Sequence, residues 1–280
     1  MSEVQLSIGY DEYEDGARME KLVEELAGKP ESAEVQYLKI GDWGQAYENG
    51  PEDFVEAIIK FKEAFPKLRK IFVGDMEAEE CEVSWINQMD LTPLLDAFPE
   101  LTALHIKGSQ NLALSDLKHA KLEELVIICG GLSKAVLSDI RQAQLPELRK
   151  LELYLGVDNY GFDGGIKDVQ PFMEQGLFPK LIYLGLKDSE IQDEIAIAIA
   201  DAPILDQLHT LDLSQGTLSD TGAEALLASE RIKKLAHLDL SYHYMTDKVV
   251  KAWENSGMSV DTSDQQENDD DDWRYPAVTE

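Results

Sequence analysis

Apolar and polar positions along this chain follow one recurring phrase. Leu101-Thr-Ala-Leu104-His-Ile106, Leu122-Glu-Glu-Leu125-Val-Ile127, Leu148-Arg-Lys-Leu151-Glu-Leu153, Leu181-Ile-Tyr-Leu184-Gly-Leu186, Leu208-His-Thr-Leu211-Asp-Leu213 and Leu235-Ala-His-Leu238-Asp-Leu240 each carry aliphatic residues at their first, fourth and sixth positions. Val35-Gln-Tyr-Leu38-Lys-Ile40 and Leu68-Arg-Lys-Ile71-Phe-Val73 are looser copies. The end of each phrase alternates apolar and polar, the period of a strand. Between phrases the period becomes that of a helix. Phe54, Val55, Ile58, Ile59, Phe61 and Phe65 follow Pro51, a residue favoured in a first helical turn. Residues 194–200, 220–228 and 246–253 fill the same place later on. At the start, Val4, Leu6 and Ile8 predict a strand, and Met19, Leu22, Val23 and Leu26 predict a helix stopped by Gly28 and Pro30. Residues 257–261 predict one last edge strand.

The eight phrases begin 33, 33, 21, 26, 33, 27 and 27 residues apart. That wording and period are those of a leucine-rich repeat. A full helix in each repeat predicts the ribonuclease-inhibitor-like type. This is a right-handed α/β solenoid, a horseshoe with a parallel β-sheet on its concave face and helices on its convex face. Residues 1–260 are expected to form a single repeat domain. Residues 1–30 would cap an end that has no neighbour, and residues 261–280 would form an acidic tail. The asparagine that usually follows the phrase is replaced by Trp43, Met76, Ser109, Gly130, Gly156, Ser189, Gly216 and His243. Without an asparagine ladder the turns after the strands are expected to be less regular. Two longer connections, residues 74–90 and 156–171, are candidate binding loops.

Charge narrows the function. The net charge of −30 argues against nucleic acid and against anionic membrane surfaces. Residues 261–280 carry eight carboxylates against Arg274 alone, so acidity also pervades the other 260 residues. No stretch approaches the roughly 18 apolar residues of a membrane span. The first residues lack a basic region and an apolar run, which predicts a cytoplasmic protein. Cys81 and Cys129 fall in different repeats and are expected to be reduced thiols. No nucleotide-binding, hydrolase or metalloprotease motif occurs, and His105, His119, His209, His237 and His243 never fall at metal-ligand spacing. The run Asp269–Asp272 lacks the glycine and final glutamate of a calcium loop. The expectation is a non-catalytic protein with no cofactor and no metal.

A binding surface can be read from the strand period. Residues between the buried leucines point to the concave side and form columns across neighbouring strands. One column begins Lys39, Phe72, His105 and ends Asp212, Asp239. The column one step earlier holds Tyr37, Lys70, Lys150, Tyr183 and His237, and the column one step later holds Lys107, Tyr154 and Lys187. These thirteen residues are the candidate contacts for a protein or peptide partner. Lysines and aromatic groups gather toward the N-terminal strands, which predicts a basic face on an acidic molecule. In the tail, Trp273 and Tyr275 are candidate apolar anchors, expected to dock the acidic segment onto that face. The alternative is a scaffold or substrate protein that presents its tail to a modifying enzyme.

Further phrases carry a resemblance. Gly41-Asp-Trp-Gly44 with Ala46-Tyr-Glu48, Glu79-Glu-Cys-Glu-Val-Ser-Trp-Ile86, and Gly185-Leu-Lys-Asp-Ser-Glu190 with Asp193-Glu-Ile195 resemble landmarks of a bacterial leucine-rich-repeat family of unknown function. So do Leu211-Asp-Leu-Ser-Gln-Gly-Thr-Leu218 with Gly222-Ala-Glu-Ala-Leu-Leu227, and the ending Asp271-Asp-Trp-Arg-Tyr-Pro-Ala-Val-Thr-Glu280. The match runs over essentially the whole chain. Genes of such families often sit beside radical-enzyme and ATP-grasp-like genes. The resemblance therefore implies a scaffold or a substrate for a modifying enzyme, and it implies no site residue.

Overall fold

The computed structural model describes residues 2–267 and 273–279, so the Asp269–Asp272 run lies outside the described residues. Contacts gather into two compact units, Met1–Ile128 with Gln142–Leu148, and Cys129–Arg141 with Arg149–Thr279.

In the first unit, strands β1 (Glu3–Ile8), β2 (Tyr37–Trp43), β3 (Lys70–Val73), β4 (Ala103–Lys107) and β5 (Glu124–Ile128) lie parallel in chain order. Helices α1 (Tyr10–Glu14), α2 (Met19–Ala27), α3 (Glu52–Lys60) and α4 (Thr92–Ala97) connect the first four strands. The register sets phrase beside phrase. Leu38, Ile71, Leu104 and Leu125 are cross-strand neighbours, each 0% exposed. Burial of each such side chain stabilises the fold by about 1.5–3 kcal/mol. Met19, Val23 and Leu26 of α2 pack toward Phe54, Val55 and Ile58 of α3 as the second layer.

One expectation fails here. A full helix does not occur in every repeat, because β4 and β5 are joined without one. This is the 21-residue repeat. A helix advances only about 1.5 Å per residue and an extended chain about 3.3 Å, so a short repeat returns by extended chain. Isolated bridges from Gln110 to Asn87, Ala113 to Asp90 and Lys118 to Gln144 take the place of the helix.

The second unit holds α5 (Lys134–Gln142, apart from its last residue), β6 (Lys150–Gly156), α6 (Ile166–Val169), β7 (Tyr183–Ser189) and α7 (Gln192–Ile199). After these come β8 (Thr210–Asp212), α8 (Asp220–Ala228), β9 (His237–Asp239), α9 (Asp247–Glu254) and the short edge strand β10 (Val260–Asp261). These strands too are parallel and in chain order, and Leu151, Leu184, Leu211 and Leu238 repeat the buried ladder. Among the described residues no helix is long and apolar enough to cross a membrane.

The turns after β8, β9 and β10 carry a brace of their own in place of the absent asparagines. Asp212 accepts from Ser214 N at 3.0 Å and Ser214 Oγ at 2.6 Å. Asp239 accepts from Ser241 N at 2.9 Å and Ser241 Oγ at 2.7 Å, and Asp261 accepts from Ser263 N at 2.9 Å. An Asp-x-Ser brace does locally what an asparagine ladder does between repeats.

Candidate functional site

The polar positions of β2 to β5 form the face of the first unit. Register pairs Tyr37 with Lys70, Lys39 with Phe72, Phe72 with His105, and Lys107 with Ile128. The face is not a bare basic patch, because its cations are matched. Lys39 Nζ lies 3.1 Å from Glu3 and 3.3 Å from Asp75, and its pKa is raised, mainly through the bond to Glu3. Lys70 reaches Glu124 at 3.9 Å across the small Ala103, and His105 Nε2 meets the same carboxylate at 2.9 Å. Lys107 donates to the carbonyl of Met76. Between these charges stand the rings. Lys39 and Lys70 flank Tyr37 at 5.3 and 4.9 Å from the ring centre, and Phe72 meets His105 edge-on at 5.6 Å. Burial pushes the Tyr37 phenol up to about 12, so it remains a neutral donor at any ordinary pH. All six residues are half-buried.

The face of the second unit is closed upon itself. Gly185 sits between Glu152 and Asp212 in the register, and its missing side chain leaves the centre open. Tyr183 and Lys187, on either side of Gly185, both turn into that space. The Tyr183 hydroxyl donates to Asp212 Oδ2 at 2.6 Å, and Lys187 Nζ donates to the same oxygen at 2.9 Å. Lys187 also lies 3.7 Å from Glu152, which Lys150 holds at 2.8 Å. Lys187 stands 5.1 Å over Tyr154, and Lys150 stands 4.9 Å over Tyr183. Glu152, Lys187 and Asp212 are 9, 7 and 3% exposed. Burial works to raise Asp212, but Lys187 and the hydroxyl donors carry it below the ordinary carboxylate range. Burial opposes the Lys187 charge, and Asp212 more than restores it, so its pKa is raised. Burial, with Asp212 and Glu152, drives the Tyr183 phenol far up, and burial, helped by the nearby carboxylates and opposed by Lys187, pushes Tyr154 up to about 12. Two cations and two anions cancel, so the cluster is a neutral knot inside the unit. Further along, His237 meets Ser259 Oγ at 3.1 Å, and Asp239 is occupied by Ser241.

Trp273 and Tyr275 stack at 6.0 Å with their side chains exposed, and the buried residue beside them is Pro276. Tyr275 is held by its backbone: its N–H donates to Tyr244 Oη at 3.0 Å, and its carbonyl accepts from Tyr242 at 3.2 Å. The partners of this segment are Asp188 at the end of β7, Asp193 at the start of α7, and Gln215, Tyr242 and Tyr244 after β8 and β9, and no described contact of Trp273 or Tyr275 reaches a lysine of the strand faces. Among the described residues no group of three or more His, Cys, Asp or Glu is placed to hold a metal ion, and neither cysteine is in a disulfide.

A crystal structure of a Bacteroides fragilis protein superposes on this chain with a TM-score of 0.89 and 38% identity, over 94% of this chain and 75% of that one. A leucine-rich-repeat family model matches residues 208–227. The chain belongs to a bacterial leucine-rich-repeat family. An internalin from Listeria monocytogenes aligns at 15% identity over 83% of this chain and 82% of its own. Its TM-score of 0.32 means that the two do not superpose as whole chains. No curated protein matches. Leucine-rich-repeat folds are in general scaffolds for contact between proteins. In this leucine-rich-repeat protein the thirteen face residues divide into two sets, one in each unit. Six form the half-buried face of the first, and the other seven lie in or beside the closed cluster of the second. Sequence reading missed the residues that meet the segment around Pro276, namely Asp188, Asp193, Gln215, Tyr242 and Tyr244. Their signal was the 27-residue spacing of positions 188, 215 and 242, one step beyond the columns it followed.

Proposed function

We propose that this protein is a non-catalytic interaction module that holds a protein or peptide on the strand face of its first unit. Tyr37, Phe72 and His105 are the anchors, and Lys39, Lys70 and Lys107 are the polar rim. The observation that carries the reading is the contrast between the two faces. On the first unit all six candidate residues remain half-exposed, whereas the centre of the second face is filled by Glu152, Lys187 and Asp212, buried and spent on one another. Aromatic groups held rigidly among polar neighbours are the usual anchors of interfaces, because they bury much area at little entropic cost. The paired lysines add specificity rather than bare attraction.

The test is capture from an extract of the bacterial host by tagged full-length protein and by the double variant Tyr37→Ala with Phe72→Ala. A partner present in stoichiometric amount on the wild type and at least ~10-fold depleted on the variant is expected, the loss of about 1.4 kcal/mol that one hot spot exceeds. Ile182→Ser, on the second unit, is the control. Undiminished capture by the double variant, or loss on Ile182→Ser instead, contradicts the reading.

A further inference from the structure

Three successive repeats of the second unit share an uncommon backbone where the strand gives way to its connection. Asp188, Gln215 and Tyr242 adopt left-handed φ values of 53°, 66° and 55°, although none is glycine. Such residues are strained, and they gather where a protein clamps a ligand. All three meet one segment of the same chain. The hydroxyls of Tyr242 and Tyr244 donate to the Tyr275 carbonyl, Ala277 N donates to Gln215 O at 2.8 Å, and Val278 N donates to Asp188 Oδ1 at 2.8 Å. The fit is metrical. Extended chain advances about 3.3 Å per residue, so the steps from Tyr275 to Val278 cover ~10 Å, and two spacings between strands also come to about 10 Å. An extended peptide therefore crosses this rim in step with the repeats. These four bonds use backbone atoms of the segment, and Pro276, which has no N–H, falls where none of them needs a donor.

Two features add selectivity. Arg274 lies 3.5 Å from Asp193 at the edge of a cavity of about 390 Å3 that Glu190 and Glu194 also line. Asp188 Oδ2 and Gln215 Oε1 are buried side-chain oxygens with no hydrogen-bond partner among the described residues. Ala277 and Val278 have nothing to offer them. The resident segment thus fills the groove incompletely.

We propose that the turns at Asp188, Gln215 and Tyr242 form a peptide groove, occupied here by Arg274–Val278, that takes an extended segment of a partner protein. The partner segment carries arginine two residues before proline, and hydroxyl or amide groups just after it, which can donate to Gln215 Oε1 and pair with the Asp188 carboxyl. Its serine or threonine hydroxyl satisfies the acceptor that Ala277 leaves open, and the resident segment is displaced. The groove stands apart from the strand-face reading, since it belongs to the second unit.

The probe is a labelled peptide with the sequence of residues 273–279, titrated by fluorescence anisotropy against two full-length proteins. One is the wild type. The other carries Arg274→Glu and Ala277→Pro, which repel Asp193 and remove the N–H given to Gln215. A tethered segment competes at an effective concentration near millimolar, so the variant is expected to bind the probe at least ~10-fold more tightly than the wild type. Circular dichroism of the variant confirms that its fold is kept. Equal affinities, or no binding by the folded variant, overturn the groove. A second peptide with Ala277→Ser and Val278→Thr is expected to bind the variant several-fold more tightly than the first. Equal or weaker binding overturns the assignment of the two unpartnered oxygens.

Discussion

Lys187 sits in an environment that tolerates little change. Its ammonium is almost out of water, and Asp212 answers it at 2.9 Å. Removing one member of a buried pair strands the other, at a cost of about 3–5 kcal/mol, whereas removing both charges together is often nearly neutral. Lys187→Met is therefore expected to lower the urea unfolding free energy by about 3 kcal/mol. Adding Asp212→Asn, which keeps an acceptor for Ser214, is expected to restore at least half. Strictly additive losses would show that the pair does not act as a unit. Asp188 behaves in the opposite sense to Asp212. Burial pushes its carboxyl up to about 8, against the smaller pull of the Val278 and Ala277 N–H groups and of Lys187. A carboxyl raised in the folded state contributes stability that is present below its unfolded pKa of about 4 and is lost as pH rises toward 8. Asp188→Asn cannot ionise. Thermal melts should therefore find wild type and variant alike near pH 4 and the variant the more stable by a few kcal/mol at pH 9. A wild type that gains on the variant as pH rises would contradict the assignment.

At the scale of elements, the phrase L-x-x-L-x-L carried the fold. It fixed which residues are buried, and through register it fixed which polar residues stand side by side, as Lys39, Phe72 and His105 do. It did not carry the pairing of charges. That depends on small residues, Ala103 and Gly185, that let long side chains meet across a strand. Asp212 and Asp239 were legible as face residues, yet the serine two places on shows that both serve the turns. The missing helix was legible only as an oddly short period. Turn geometry also sets an element-scale expectation. Gly156 has φ 73°, and a Cβ there would fall 1.7 Å from the carbonyl oxygen of Gly130, whereas Gly176 has φ 92° in open space. Gly176→Ala should cost only the backbone strain, about 1 kcal/mol. Gly156→Ala should cost clearly more, because backbone must move. Equal midpoints in chemical unfolding would deny that the 130–156 turn is tightly packed.

For the whole molecule, the acidic balance and the faces answer different questions. A net charge of −30 makes copies repel one another and favours encounters with groups of opposite sign, an effect that salt screens within about 8–10 Å. It does not select one partner, because the cations of the strand faces are matched locally. On the proposed reading, selection falls to shape and to the rings of the first unit, and that is the claim most in need of a direct measurement. A photo-crosslinking amino acid placed at position 72 in the full-length protein, activated in the living host, reports what touches that face. The account predicts one predominant covalent adduct, identified by mass spectrometry, from position 72 and none from a probe at position 182. Adducts from position 182 alone, or the same adducts from both, would contradict it.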